Sequence, residues 1–231
     1  MNKQDKIATM FDSIAKYYDF LNRLLSLRLD VYWRNNLIKL MPDKPLVALD
    51  IATGTGDVAF TMMRKKNITH VIGIDISLGM LEIANKKALS LPDNKSIEFL
   101  FGSADNLSFN DNSFDVVTIA FGIRNVIEQQ KALLECYRVL KKDGYLLILE
   151  FCLPHNLLIK NIYLTYFRYL LPFIAGAISG QKKAYKYLNS SVEEFVTKDS
   201  LINQIKQAGF SKVDIIYQTF GIAAIYKVQK I

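Results

Sequence analysis

The sequence predicts an α/β fold: a mostly parallel sheet wrapped by crossover helices and ending in an antiparallel hairpin. Three observations carry this. From Leu46 onward, short β-branched or aliphatic runs alternate with helical periodicities. The first run leads directly into the glycine turn Ala52-Thr53-Gly54-Thr55-Gly56-Asp57, after which a helix begins. The last two runs, 213–217 and 222–228, are joined by a connection far shorter than the dozen or so residues a parallel crossover needs, so they must pair antiparallel.

In chain order, strands are expected at 46–51, 70–75, 97–101, 114–120 and 144–151, with helices at 57–66, 78–90 and 128–140 between them. A helix over 198–208 closes at Gly209 ahead of the hairpin. Of the 231 residues 51% are hydrophobic and 22% charged, enough for one core, so the chain is read as a single domain, 1–231. Within it, 1–45 form a helical lid, 46–151 the cofactor-binding core, 152–195 an apolar helical insertion and 196–231 the closing helix and hairpin.

Cys136 and Cys152 lie in helix-like and strand-like stretches without the paired spacing of a zinc or redox motif; no metal is expected, and a reducing compartment suits them. The N-terminus carries charges where an export signal needs an apolar core, so a cytoplasmic location is expected. The net charge of +7 would suit nucleic acid, an anionic membrane face or an anionic cofactor. The most apolar segment, 157–178, is broken by Lys160, Arg168 and Pro172; it is expected to lie on a membrane surface or in a protein interface and not to cross a bilayer.

Gly54 and Gly56 allow a tight turn against a ligand at a helix N-terminus. Asp75, 21 residues after Gly54, closes the second strand where a carboxylate can accept from both ribose hydroxyls of an adenosine ligand. The run Gly54 to Ala59 also fits the G-x-G-x-x-A dinucleotide fingerprint, so an NAD-dependent oxidoreductase is the rival. Methyl transfer is favoured because about 45 residues precede the loop and because a dinucleotide sheet ends in parallel. Asp50, at the tip of the first strand, would orient the amino group of S-adenosylmethionine. The loop 101–105 would lie beside the adenine, and the loop 120–126 should face the reacting methyl.

These segments carry a specific likeness. With Phe11-Asp12-Ser13-Ile14-Ala15, Tyr18-Asp19, Asn22, Trp33-Arg34, LDIATGTGD (49–57), FGIRNV (121–126), YRVLKKDG (137–144), Leu149-Glu150-Phe151, Tyr187-Leu188, Ser190-Ser191 and Gly221 to Ala224, the chain resembles the ubiquinone/menaquinone biosynthesis C-methyltransferases over essentially its whole length. The resemblance implies the Rossmann-like class I S-adenosylmethionine-dependent methyltransferase fold, with a seven-stranded sheet. It also implies that Thr55, Asp75, Ser103 and Ala104 contact S-adenosylmethionine. Ala120 stands where some members have serine, and Lys142-Asp143-Gly144 and Val196 are further departures.

The implied reaction methylates the ring of demethylmenaquinol to menaquinol, with the 2-polyprenyl-6-methoxy-1,4-benzoquinol precursor of ubiquinone as a second substrate. Ring carbon becomes nucleophilic as its phenol, with a pKa of about 10 like tyrosine, ionises. Arg124 and Asn125 are nominated as donors to that oxygen; alternatively Arg124 caps a helix or pairs with Asp57 or Glu128. Tyr18 and Asp19 would close the lid over the cofactor, His70 reads as structural, and His155 is a candidate base. The stretch 157–186, with its aromatics followed by Lys182, Lys183 and Lys186, would meet the polyprenyl tail or the inner face of a membrane, or else cap the core or meet a second subunit in a homodimer. An RNA or other small-molecule methyltransferase of the same fold is the other rival; with basic residues scattered and no aromatic-basic stripe, no nucleic-acid partner is expected.

Overall fold

The computed structural model describes residues 2–91, 96–154, 156–181, 184, 187, 191–192 and 200–231. Seven strands form one sheet: β1 (Leu46–Ile51), β2 (Ile68–Asp75), β3 (Ser96–Phe101), β4 (Phe114–Ala120), β5 (Leu140–Phe151), β6 (Val213–Gln218) and β7 (Ala223–Gln229), in the order β3-β2-β1-β4-β5-β7-β6. Only β7 runs against the direction of the other six strands. It slots between β5 and β6, so the final hairpin is inserted with its second strand innermost.

The inner strands alternate into both layers, as period-2 geometry requires. On β1, Leu46 and Ala48 join a core with α2 (Leu29–Lys39), α3 (Asp57–Met62) and α4 (Leu78–Ala88). Leu49 and Ile51 join the opposite core with α5 (Gln129–Val139) and α8 (Ser200–Gln207). This is why the strand reads as a continuous apolar run.

Boundaries differ from the sequence expectation where local hydrogen bonding overrides periodicity. The helix expected to reach residue 66 stops at Met62, because the amides of Arg64 and Lys65 turn back to the carbonyls of Thr61 and Met62. The fifth strand starts at Leu140 instead of 144. Leu140 pairs with Phe114, and the ladder then slips before Val116 meets Tyr145, with Asp143 at φ +63° inside the irregularity.

Two appendages flank the parallel core. At the N-terminus α1 (Lys3–Leu25) opens on a capping box, in which Asn2 accepts from the Asp5 amide at 2.8 Å and Asp5 accepts from the Asn2 amide at 3.0 Å. After β5 come α6 (Leu157–Thr165), a π-helical turn (Tyr166–Leu170) and α7 (Leu171–Ser179), which pack on α1 through Tyr163, Phe167, Leu171 and Ala175. Their outer face carries Leu157, Leu158, Ile162, Tyr169 and Phe173 exposed. Among the described residues no helix is long and apolar enough to cross a membrane.

His70 lies in β2 beside Ser96 and 3.5 Å from Glu98 of β3, away from the strand tips considered below. Cys136 is buried in α5, and Cys152 follows the end of β5; both are free, and burial pushes their thiols up to about 12 and 11.

Candidate active site

The strand order reverses between β1 and β4, and the carboxyl ends of the parallel strands frame a crevice there. The first turn is drawn tight by Asp75, whose Oδ2 accepts from the Gly54 amide at 2.8 Å and whose Oδ1 accepts from the Ser77 amide at 2.9 Å. Gly56 stands at φ +85°, and a Cβ there would meet Phe60 at 2.6 Å and Phe99 at 2.8 Å. Glycine is therefore required twice over, for conformation and for space. Across the crevice, Ala52 and Phe121 hold left-handed backbone at the tips of β1 and β4. Gly122 lets the two tips meet, since a Cβ on it would lie 2.5 Å from that of Ala52. Such backbone strain concentrates at functional sites.

Asp50 is buried, with one oxygen accepting from Thr53 Oγ1 at 2.7 Å and the other from Thr118 Oγ1 at 2.6 Å. Burial raises its carboxyl to about 6, outweighing both hydroxyl donors. Asp75 is likewise raised by burial, against the pull of the Ser77 and Gly54 amides. Two carboxylates raised by burial thus border one crevice, each holding two hydrogen bonds and keeping acceptor sites beyond them.

A first cavity at these tips is lined by Gly54, Asp75, Ser103, Ala104, Ala120 and Asn125, among others, and a smaller pocket that shares Tyr18, Ala52, Gly54 and Ala120 with it is lined by Asp50, Thr55, Asp57 and Arg34. These residues fit S-adenosylmethionine in kind: an acid for ribose hydroxyls, a second acid for the ammonium group and a buried arginine for the carboxylate. The crevice brings together Asp50, Gly54, Thr55, Asp75, Ser103 and Ala104.

The helix α1 closes over it through three sets of polar contacts. Gln4 donates to Ser103 Oγ at 2.7 Å; Asp12 accepts from the Ser77 hydroxyl at 2.6 Å and the Gly79 amide at 2.8 Å; Asp19 accepts from Thr55 Oγ1 and Lys87 Nζ, each at 2.6 Å. Ser103 in turn donates a short bond to Asp105. Behind the turn, Asp57 meets Arg23 at 2.7 Å and Arg34 and Lys87 at 3.5 Å. Burial alone would raise the Asp57 carboxyl, but Arg34, Arg23 and Lys87 together hold it below its ordinary value.

A second cavity of about 250 Å³ opens beside the first, with Tyr18 and Phe121 lining both. Its walls are aromatic and aliphatic, including Trp33, Phe151, Tyr163, Phe167 and Leu171, and its polar lining includes Arg34 and Arg124. The neighbours Arg124 and Asn125 therefore face different spaces, Arg124 the aromatic cavity and Asn125 the first. Asn125 also accepts from the Tyr187 hydroxyl at 3.4 Å. Arg124 pairs with neither Asp57 nor Glu128: its Nη1 donates to Glu150 at 2.7 Å and to the Phe121 carbonyl at 2.5 Å, and it caps no helix, sitting in the 3₁₀ turn Ile123–Asn125. Tyr18 is half-buried, and its desolvation raises the phenol more than Arg124 and Arg34 lower it.

The sequence reading assigned no role to Arg34, Gln4 or Glu150. The adjacent pairs Trp33-Arg34 and Glu150-Phe151 within the matching segments were the signal for two of them. His155, Lys182, Lys183, Lys186 and Val196 lie outside the described residues.

Asp50 gives a stability prediction. Its folded pKa of about 6 lies above an unfolded value of about 3.9, so its stabilising contribution is complete below pH 4 and is lost as pH rises through 6. Urea unfolding should show an Asp50-dependent loss of about 2–3 kcal/mol between pH 4 and pH 7. In Asp50→Asn that component is expected to vanish; the same slope in both proteins would refute the assignment.

The ubiE/COQ5 methyltransferase family model matches residues 1–230. The chain is 42% identical to a demethylmenaquinone methyltransferase of Thermotoga maritima, over 94% of this chain and 93% of that one. It is 40% identical to the ubiquinone/menaquinone biosynthesis C-methyltransferase UbiE of Campylobacter jejuni, over all of both chains. Among solved structures, a SAM-dependent methyltransferase of Thermotoga maritima superposes with a TM-score of 0.67 at 21% identity, over 97% of this chain and 99% of that one, a likeness of fold.

Proposed function

The chain belongs to the ubiE/COQ5 methyltransferase family, and from that premise we propose that it methylates a ring carbon of a polyprenylated quinol, demethylmenaquinol first and the 2-polyprenyl-6-methoxy-1,4-benzoquinol precursor of ubiquinone second. The observation that carries the substrate reading is the aromatic cavity with Arg124 in its lining, sharing Tyr18 and Phe121 with the acid-lined crevice. A flat apolar ring with an ionisable oxygen is what such a lining suits.

S-adenosylmethionine, when bound, supplies an electrophilic methyl group. Asp75 would hold its ribose hydroxyls, Asp50 its ammonium group, Arg34 its carboxylate and the Gly54-Thr55-Gly56 turn its amino-acid end, while Ser103 and Ala104 flank the adenine. Arg124 stabilises developing negative charge on the quinol oxygen from the aromatic side, and Asn125 donates from the other side of Phe121. Each acts from the lining of its own cavity, where the surrounding protein lowers the local dielectric and strengthens charge–dipole interactions. Tyr18 and Phe121 hold the ring against the cofactor crevice; alignment of this kind supplies roughly 7–11 kcal/mol of a bimolecular barrier.

The exposed apolar side chains of α6 and α7 lie on the outside of the layer that supplies Tyr163, Phe167 and Leu171 to the cavity. A membrane resting there would present the prenyl tail directly to the cavity. Phe173 is 71% exposed, so Phe173→Ser should leave the unfolding midpoint unchanged. It should also weaken partitioning onto anionic vesicles, read by sedimentation, by about tenfold, as expected for withdrawing part of the roughly 1.5–3 kcal/mol that full burial of a Phe side chain contributes. Equal sedimentation would remove this face from consideration.

The whole reading is tested by offering labelled S-adenosylmethionine with short-tailed demethylmenaquinol or the ubiquinol precursor in detergent. Label on ring carbon establishes the reaction. If the protein binds S-adenosylmethionine and labels neither quinol, the quinol reading fails and RNA is the substrate to try next.

A further inference from the structure

Arg124 and Glu150 form the most enclosed of the ion pairs described, with side chains 2% and 0% exposed. Burying two charges costs more than their attraction returns unless every remaining donor and acceptor is satisfied. Here that condition is not met. Arg124 Nε and Glu150 Oε2 are both buried without a hydrogen-bond partner among the described residues. Glu150 Oε1 instead gathers two bonds in one place: it accepts from Arg124 Nη1 at 2.7 Å and from the Phe151 amide at 2.9 Å, and so links the turn after β4 to the tip of β5. The Phe151 ring then lies 5.4 Å from the guanidinium carbon and itself lines the aromatic cavity. Hydrophobic residues would hold these two strand ends together at lower cost, so the pair points to the reaction.

We propose that Glu150 is a positioning residue for methyl transfer: it fixes the Arg124 guanidinium in the lining of the aromatic cavity, and its negative charge sets the pH at which a hydroxyl bound against Arg124 ionises. The inference rests on the quinol reading of that cavity. Glu150 does not line the cavity and acts only through Arg124. Among the described residues the titratable and charged groups facing the pair are Cys152 beyond the end of the same strand, Tyr226 on β7, Tyr18 on α1, and Arg34 and Asp30 of α2, which line the aromatic cavity with Arg124. Burial holds the Glu150 carboxyl above its ordinary range, with Arg124 pulling it back. When Glu150 is ionised, the pair is neutral and Arg124 offers only part of its field to the cavity. Without that charge, the full cation faces the bound hydroxyl, whose proton is then lost to bulk water at lower pH.

The experiment is the pH profile of kcat with labelled S-adenosylmethionine and short-tailed demethylmenaquinol for wild type, Glu150→Gln and Glu150→Asp. Glu150→Gln keeps an acceptor for Arg124 but no charge, and its acid limb should move down by about one pH unit or more while the plateau falls at least tenfold. Glu150→Asp keeps the charge on a shorter stem, so its acid limb should stay with wild type while the plateau falls. Should Glu150→Gln fail to fold, the double change Arg124→Gln with Glu150→Gln, which leaves no lone buried charge, is compared with Arg124→Gln at permissive temperature. Equal kcat for the two supports action through Arg124; a further loss in the double variant overturns it. An acid limb that does not move in Glu150→Gln also overturns it. A wild-type protein that labels no quinol is a failure of the substrate reading instead, distinguishable because no profile is then recorded.

Discussion

Asp75→Ala is expected to weaken S-adenosylmethionine binding by about 100-fold or more, read by calorimetric titration. An ionised carboxylate has about four acceptor sites, so Asp75 can keep its bonds from the Gly54 and Ser77 amides and still take two ribose hydroxyls. Each hydrogen bond to a charged group contributes roughly 1.5–3 kcal/mol. The substitution removes both ribose acceptors and also releases the amide that pins the glycine turn, so binding and preorganisation fall together. Asp75→Asn should be milder, because the amide oxygen still accepts from one partner. An affinity within threefold of wild type in Asp75→Ala would place the ribose elsewhere.

Arg124→Leu is expected to destabilise the fold by about 3–5 kcal/mol in urea unfolding, because it strands Glu150 in the interior without its cation. Methyl transfer should fall by a factor of about 10²–10³, the usual consequence of removing one donor from a developing oxyanion. Pairing it with Glu150→Leu separates the two effects. The double variant should recover most of the stability, since apolar pairs replace buried ion pairs with little penalty, and none of the activity. Recovery of activity in the double variant would show that Arg124 serves packing alone.

Both predictions depend on residues whose sequence signals were unequal. Asp75 was legible because a carboxylate closing a second parallel strand after a glycine turn is a local pattern. Its distance from the turn in space follows from the strand pairing of β1 with β2. Arg124 was legible as a residue of the loop after β4 but not in its partnership. Asp57, Glu128 and Glu150 were all acids that a flexible guanidinium could reach, and choosing among them requires knowing that Leu149 and Ala120 lie side by side in the sheet. The lid behaved similarly. Tyr18 and Asp19 were readable as a motif near the cofactor, whereas the bond from Gln4 to Ser103 spans 99 positions and leaves no local trace.

Local chemistry along the chain sets the elements: an alternation of apolar runs and helical periods, a glycine turn with an acid at the next strand tip, and a hairpin too short to cross over. These follow from φ/ψ preferences and nearest-neighbour spacing, which act within a few residues. The tertiary structure alone decided that β7 slots between β5 and β6, that Arg124 and Asn125 face separate cavities, and that Glu150 takes the arginine. Those outcomes are set by which distant surfaces exclude water together and which buried charges can be paired within that packing, quantities that exist only once the chain has closed on itself.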